Sequence, residues 1–155
     1  MQRVVPALRV LSYQVSSAFY GRLGFTERWT HRFDAGLPVF AAVARDGMEI
    51  FLTEHTGDCP PGALVHFYVP DVDGLYAEFQ ALGVPVEEAP GNSLGQDIRD
   101  MLVLDPDGNR LSFITRPDRV PERVRRALET PSSPNVRERF ASRWMTRTPS
   151  PALPG

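Results

Sequence analysis

An α+β fold of two tandem βαβββ modules is what this 155-residue chain predicts. Leu23-Gly24 recurs as Leu82-Gly83 at an offset of 59, and Asp46-Gly47 recurs as Asp107-Gly108 at an offset of 61. The same succession of strand, helix and hairpin surrounds both members of each pair, which is the signature of a duplication with small loop differences. The modules fall at about 1–56 and 61–116 and make one domain, 1–116, followed by an Arg- and Pro-rich helical extension over 117–155.

Each element follows from local pattern. "VVPALRVLS" reads as a strand, "SSAFYGRLGF" as a short helix, and "FTERWTHRF" as the next strand. "PVFAAVAR" and "MEIFLTE" form a hairpin about "DG", which supplies the positive φ values of a tight turn. In the second module "ALVHFYV" is a strand and "DVDGLYAEFQALG" a helix, with Asp71 or Asp73 as its cap and Gly83 as its end. "VPVEEA" continues as a strand, and "DMLVL" and "NRLSFI" close the module as a hairpin around "DPDG". In the tail, "VPERVRRALE" and "VRERFASRWM" have helical composition, and "TPSPALPG" is expected to be disordered.

All 17 basic residues are arginine, and their distribution is uneven. Residues 1–116 hold 9 Arg against 15 Asp plus Glu, a net of −6, whereas 117–155 hold 8 against 4, a net of +4. An acidic body favours cationic ligands. The tail's acids interrupt its arginines and it carries no nucleic-acid-binding motif, so no nucleic acid is expected as partner. No stretch has the apolar length of a membrane span and no basic-then-apolar leader opens the chain, so a cytoplasmic protein away from membranes is expected. The lone Cys59 has no metal-ligand or nucleophile spacing.

The motifs "SAFYGRLGF", "VPDVDGLYAEFQALG" and "DPDGNRLSF", in that order, resemble the glyoxalase/bleomycin resistance superfamily, also called vicinal oxygen chelate, over residues 4–116. The resemblance implies paired modules whose mixed sheet curls into a cup holding a metal or a ligand. It places the family's four chelating positions on Val5, Phe51, Leu64 and Ser112. The internal repeat pairs these positions too: Val5 and Leu64 each lie 18 residues before the Leu of a Leu-Gly, and Phe51 and Ser112 each lie four after a turn glycine. Divalent metals need imidazole, carboxylate or thiolate donors, which these residues lack. The expected metal set is therefore none, the cofactor none and the catalytic set none. His66 and Glu49, each two residues from one of those positions, are a minimal donor pair without a clear third ligand, since His31 and His55 fall near strand ends.

Strand alternation turns Glu49, Phe51 and Thr53 toward the cup, with Leu64, His66 and Tyr68 from the next strand and Arg110, Ser112 and Ile114 from the last. Such a mixture of rings and a few polar groups suits a small molecule. Within the family the chain is most similar to the metal-free bleomycin resistance proteins, and that likeness puts Trp29 and Phe40 at the positions that stack on a flat ligand. It also departs from them: His66 stands where they tend to carry tryptophan, and "GNSLGQDIRD" has no tryptophan before its Arg99-Asp100 pair. The ligand-binding set is thus Trp29, Phe40, Glu49, Phe51, His66, Tyr68 and Ser112. The implied function is metal-independent sequestration of a planar or cationic, bleomycin-like antibiotic by a homodimer. Pro6 matches the proline of an N-terminal strand exchanged between subunits in that group. Two alternatives stand beside it: a metal-dependent glyoxalase, epimerase or dioxygenase of the same fold, and a metabolite sensor or interaction module that uses the basic tail.

Overall fold

The computed structural model describes residues 2–116 and Arg126. Apart from Arg126, the tail helices and disordered end expected from sequence lie outside the described residues. The first module runs β1 (Ala7–Arg9), α1 (Tyr13–Arg22), β2 (Thr26–His31), β3 (Phe40–Arg45) and β4 (Met48–Thr53). The second runs β5 (Leu64–Tyr68), α2 (Val72–Ala81), β6 (Glu88–Gly91), β7 (Arg99–Leu104) and β8 (Arg110–Thr115). Each module forms one four-stranded mixed sheet, ordered β1-β4-β3-β2 in the first and β5-β8-β7-β6 in the second. In both, the opening strand lies parallel to the last strand of its own module and the remaining pairs are antiparallel. The two βαβββ units and their cup-type sheets agree with the duplication read from the sequence.

Local chemistry sets the element ends. Helix α1 starts earlier than "SSAFYGRLGF" implied, because the Ser12 side chain accepts from Val15 N and caps it. Asp71, of the two aspartates, caps α2 by accepting from Gly74 N. Gly24 closes α1 at φ +81°, and a Cβ there would lie 2.9 Å from Arg45 Nη1, so glycine is required on both counts. Strand β6 begins later than "VPVEEA" predicted. Val84 N is still bonded to Phe79 O, Pro85 has no N–H to give, and the ladder opens only where Glu87 N reaches Leu102 O. The two "DG" turns also differ. Asp46 and Gly47 both take positive φ (49° and 82°), whereas in the second only Gly108 does, at 79°.

The two modules share one core. Phe25 of the first meets Phe67 of the second at a centroid distance of 5.8 Å, and Phe67 stacks on Phe113 at 5.0 Å. Buried Leu8, Tyr20, Ile50, Leu52, Phe79 and Leu111 complete it. Polar ties cross the same junction. Asn109, fully buried, donates from Nδ2 to Arg9 O (2.9 Å) and Asp105 Oδ2 (2.8 Å) and accepts from Ala63 N (3.1 Å). Tyr20 donates its hydroxyl to Asp105 Oδ2 at 2.9 Å, and burial followed by the Asp105 charge pushes its ionisation far above the ordinary tyrosine range. Arg45 pairs with Glu78 at 2.9 Å. With the helix-facing sides of both sheets committed to this core, the opposite, cup-facing sides are left for a site.

Candidate functional site

The cup face of the first sheet is read from its register. Ala7, Phe51, Ala42 and Trp29 form one row across the strands, and Arg9, Thr53, Phe40 and His31 form the next. Trp29 belongs to this face because of an irregularity: Thr26 pairs with Ala44 and Glu27 with Val43, but Trp29 pairs with Ala42, which leaves Arg28 as an extra residue. Strict alternation from Thr26 would have put Arg28 and Thr30 in the cup. The bulge puts Trp29 and His31 there, while Glu27 stays on the helix side and accepts the Tyr13 hydroxyl at 2.6 Å.

Three rings meet on this face. Trp29 and Phe40 stack with centroids 5.7 Å apart at 25°, and Phe51 contacts Trp29 at 5.5 Å and Phe40 at 5.3 Å. Ala42 lies between Phe51 and Trp29 in the register and is fully buried, so its methyl leaves room for the rings around it. Trp29 itself remains 40% exposed. The aromatic surface continues past the end of β2: Phe33 makes edge contacts with His31 at 4.8 Å and with His55 at 5.5 Å. His55 Nε2 is buried and has no hydrogen-bond partner among the described residues. At the same end Thr53 is fully buried, donating to Asp58 Oδ2 at 2.6 Å and accepting from His55 N, so the linker between the modules closes that side.

Glu49 sits on the cup face two residues before Phe51, and its partner was not foreseen. Arg3 Nη1 lies 2.7 Å from Glu49 Oε2. The 46-residue separation explains why no local pattern shows this pair. His31 and Ala42 were missed as well, and the one available signal was the Trp-Thr-His spacing once the bulge is known.

The cup face of the second sheet carries the other expected residues. His66, Ser112, Leu102 and Glu88 form one row, and Tyr68, Ile114 and Asp100 the next. Leu64, His66 and Tyr68 are exposed, Tyr68 to 56%. Ser112, by contrast, is 7% exposed, and Ile114 is also buried. Asp100 accepts from Ser93 Oγ and from Leu94 N, which draws the 92–98 loop over this part of the sheet. Thus Trp29, Phe40 and Phe51 come together with Glu49 beside them on one sheet, and His66, Ser112 and Tyr68 come together on the other. Among the described residues no ring contact joins the two groups.

The side chains do not fit a chelated metal. Phe51, Leu64 and Ser112 stand on the cup faces where chelators would have to sit, Glu49 and His66 lie on different sheets, and no group of three or more His, Cys, Asp or Glu suited to an ion occurs among the described residues. Among these residues no helix is long and apolar enough to cross a membrane.

Comparison with known proteins agrees with this geometry. The family described as "Glyoxalase superfamily protein" matches residues 1–119. Comparison with curated proteins gives no match. Among solved structures, a bleomycin-binding protein complexed with bleomycin superposes with a TM-score of 0.61 at 23% identity, covering 75% of this chain and 99% of its own. The bleomycin resistance determinant encoded on transposon Tn5 gives 0.61 and 23%, covering 76% and 99%. A glyoxalase/bleomycin resistance protein from Catenulispora acidiphila gives 0.59 and 20%, covering 76% and 100%. At these identities the superpositions speak for the fold, and the match over 1–119 speaks for the family: the chain belongs to the glyoxalase superfamily.

Proposed function

We propose that this protein is a metal-independent binding protein that sequesters a planar, cationic small molecule of the bleomycin type. The observation that carries the reading is the Trp29–Phe40–Phe51 cluster, a ring surface left partly open on the face where an enzyme of this family would hold its ion. A flat ligand laid on it gains apolar burial and dispersion, and a cationic one gains further from the ring quadrupoles and from Glu49. His66 and Tyr68 supply the opposite wall and Ser112 gives space at its floor. Because the two cup faces belong to separate sheets, with Trp29 exposed on one and Tyr68 on the other, a second copy of the chain completes the cleft, the first sheet of one subunit facing the second sheet of the other. The cytoplasm is the proposed location, since a sequestering protein acts where the drug meets its target.

The experiment is a titration of bleomycin against Trp29 fluorescence in a Trp144→Phe background, so that one indole reports. Saturable quenching at one drug per subunit is expected, and Trp29→Ala with Phe40→Ala should abolish binding measured by calorimetry. An unchanged signal and no heat at saturating drug would remove this ligand class. A stoichiometric metal ion retained through chelator-free purification would replace the reading with the enzyme alternative.

A further inference from the structure

We propose that Arg3 is an internal stand-in for the ligand's cationic arm, and that the site selects flat compounds bearing a guanidinium, amidinium or ammonium group about 7 Å from the ring system, two residues along an extended strand. The inference rests on the ring-platform reading above. Glu49 and Phe51 share the cup face of β4, so a ligand that stacks on the Phe51 side of the platform brings an arm of that length to the carboxylate. The Glu49 side chain is 17% exposed, whereas that of Arg3 is 69% exposed. A carboxylate so covered calls for a charged partner, because burying it alone is costly. Arg3 meets that demand at 2.7 Å while being held by little else: this is the one hydrogen bond its side chain makes among the described residues. It belongs to the segment ahead of β1, where the neighbouring Val4 is 95% exposed. Releasing such an exposed side chain costs little, and the vacated carboxylate then accepts another planar or point-like cation. Arg3 therefore acts as an internal competitor: a cationic arm has to displace it to reach Glu49 and binds less tightly for doing so, whereas a neutral compound leaves the pair in place and is unaffected by it. The net charge of −6 over residues 1–116 favours the approach of cations to this part of the protein as a whole.

Two probes separate the arm from the ring: a 1,8-naphthalimide with a guanidinoethyl group on its imide nitrogen, and the same ring with a hydroxyethyl group. Calorimetry on the wild type, Arg3→Ala and Glu49→Gln is expected to give tighter binding of the guanidino compound. Arg3→Ala should raise that affinity about two- to fivefold, the range an exposed ion pair can withhold, and leave the hydroxyethyl compound unchanged. Glu49→Gln should erase the difference between the probes. If both variants bind the guanidino compound as the wild type does while the hydroxyethyl compound still binds, the arm site is wrong and the platform stands. If neither probe binds any of the three proteins, the platform falls and the arm site with it.

Discussion

Glu54 shows how one carboxylate can serve three segments. Its side chain accepts from Tyr13 N at the start of α1 and from Val39 N at the entry to β3, both at 2.7 Å, and its own N–H bonds Val39 O at 2.9 Å. Desolvation alone would raise its pKa, but the two backbone donors, followed by Arg32 and Arg9, outweigh it and hold the group below its usual value of 4.5. A carboxylate with a lowered folded-state pKa contributes stability that is present above the unfolded value and lost as pH falls through the folded one. Glu54→Gln keeps a single oxygen acceptor for two donors, so urea denaturation at pH 7 should show a loss of about 1 kcal/mol. That deficit should narrow as the pH falls below 4.5 and through the lowered folded-state value, because the wild type then becomes protonated too. A deficit independent of pH would mean that the ionised form is not what the backbone donors hold.

At the level of elements, the bulge at Arg28 decides which face of β2 enters the site. Arg28 is the residue left over between two stretches of regular pairing, so deleting it should restore plain alternation and leave Trp29 opposite Ala42. The expected result is a Trp29 emission maximum and near-UV circular dichroism close to wild type. A strongly red-shifted, featureless indole would show instead that the bulge holds the ring in place. This element also marks where sequence reasoning reached its limit. Alternation assigned β4, β5 and β8 correctly, with Ile50 and Leu52, Phe67, and Leu111 and Phe113 in the core, because a half-buried strand must keep a period of two. Trp29 came from family likeness alone, because an inserted residue breaks that period without leaving a mark in composition. The buried Asp105–Asn109 hub inside "DPDGN" read only as a turn, and the partner of Glu49 did not appear at all. Hydrogen bonds to atoms 46 or 100 residues away have no local pattern.

At the scale of the whole molecule, residues 2–116 have a core between the two modules and turn both cup faces away from it, so among the described residues neither face is closed over by the other. Trp29 at 40% and Tyr68 at 56% exposure are large apolar side chains to leave in water, and they sit on separate sheets. If a second copy covers them, the Trp29–Phe40–Phe51 platform of one subunit is completed by His66 and Tyr68 of the other. Complementation tests that arrangement more sharply than sedimentation does. One variant carries Trp29→Ala and Phe40→Ala, the other His66→Ala and Tyr68→Ala, so each homodimer has both clefts damaged. Co-expression with two affinity tags yields the mixed dimer. In that dimer one cleft holds all four substitutions and the other is wild type throughout. Bleomycin should therefore bind the mixed dimer at half the wild-type stoichiometry with near wild-type affinity, while both homodimers fail. A cleft made within a single chain predicts the opposite: every cleft in the mixture keeps one defect, and no binding returns. A wild-type protein that sediments as a monomer at the concentrations of the titration would exclude the shared cleft before any variant is made.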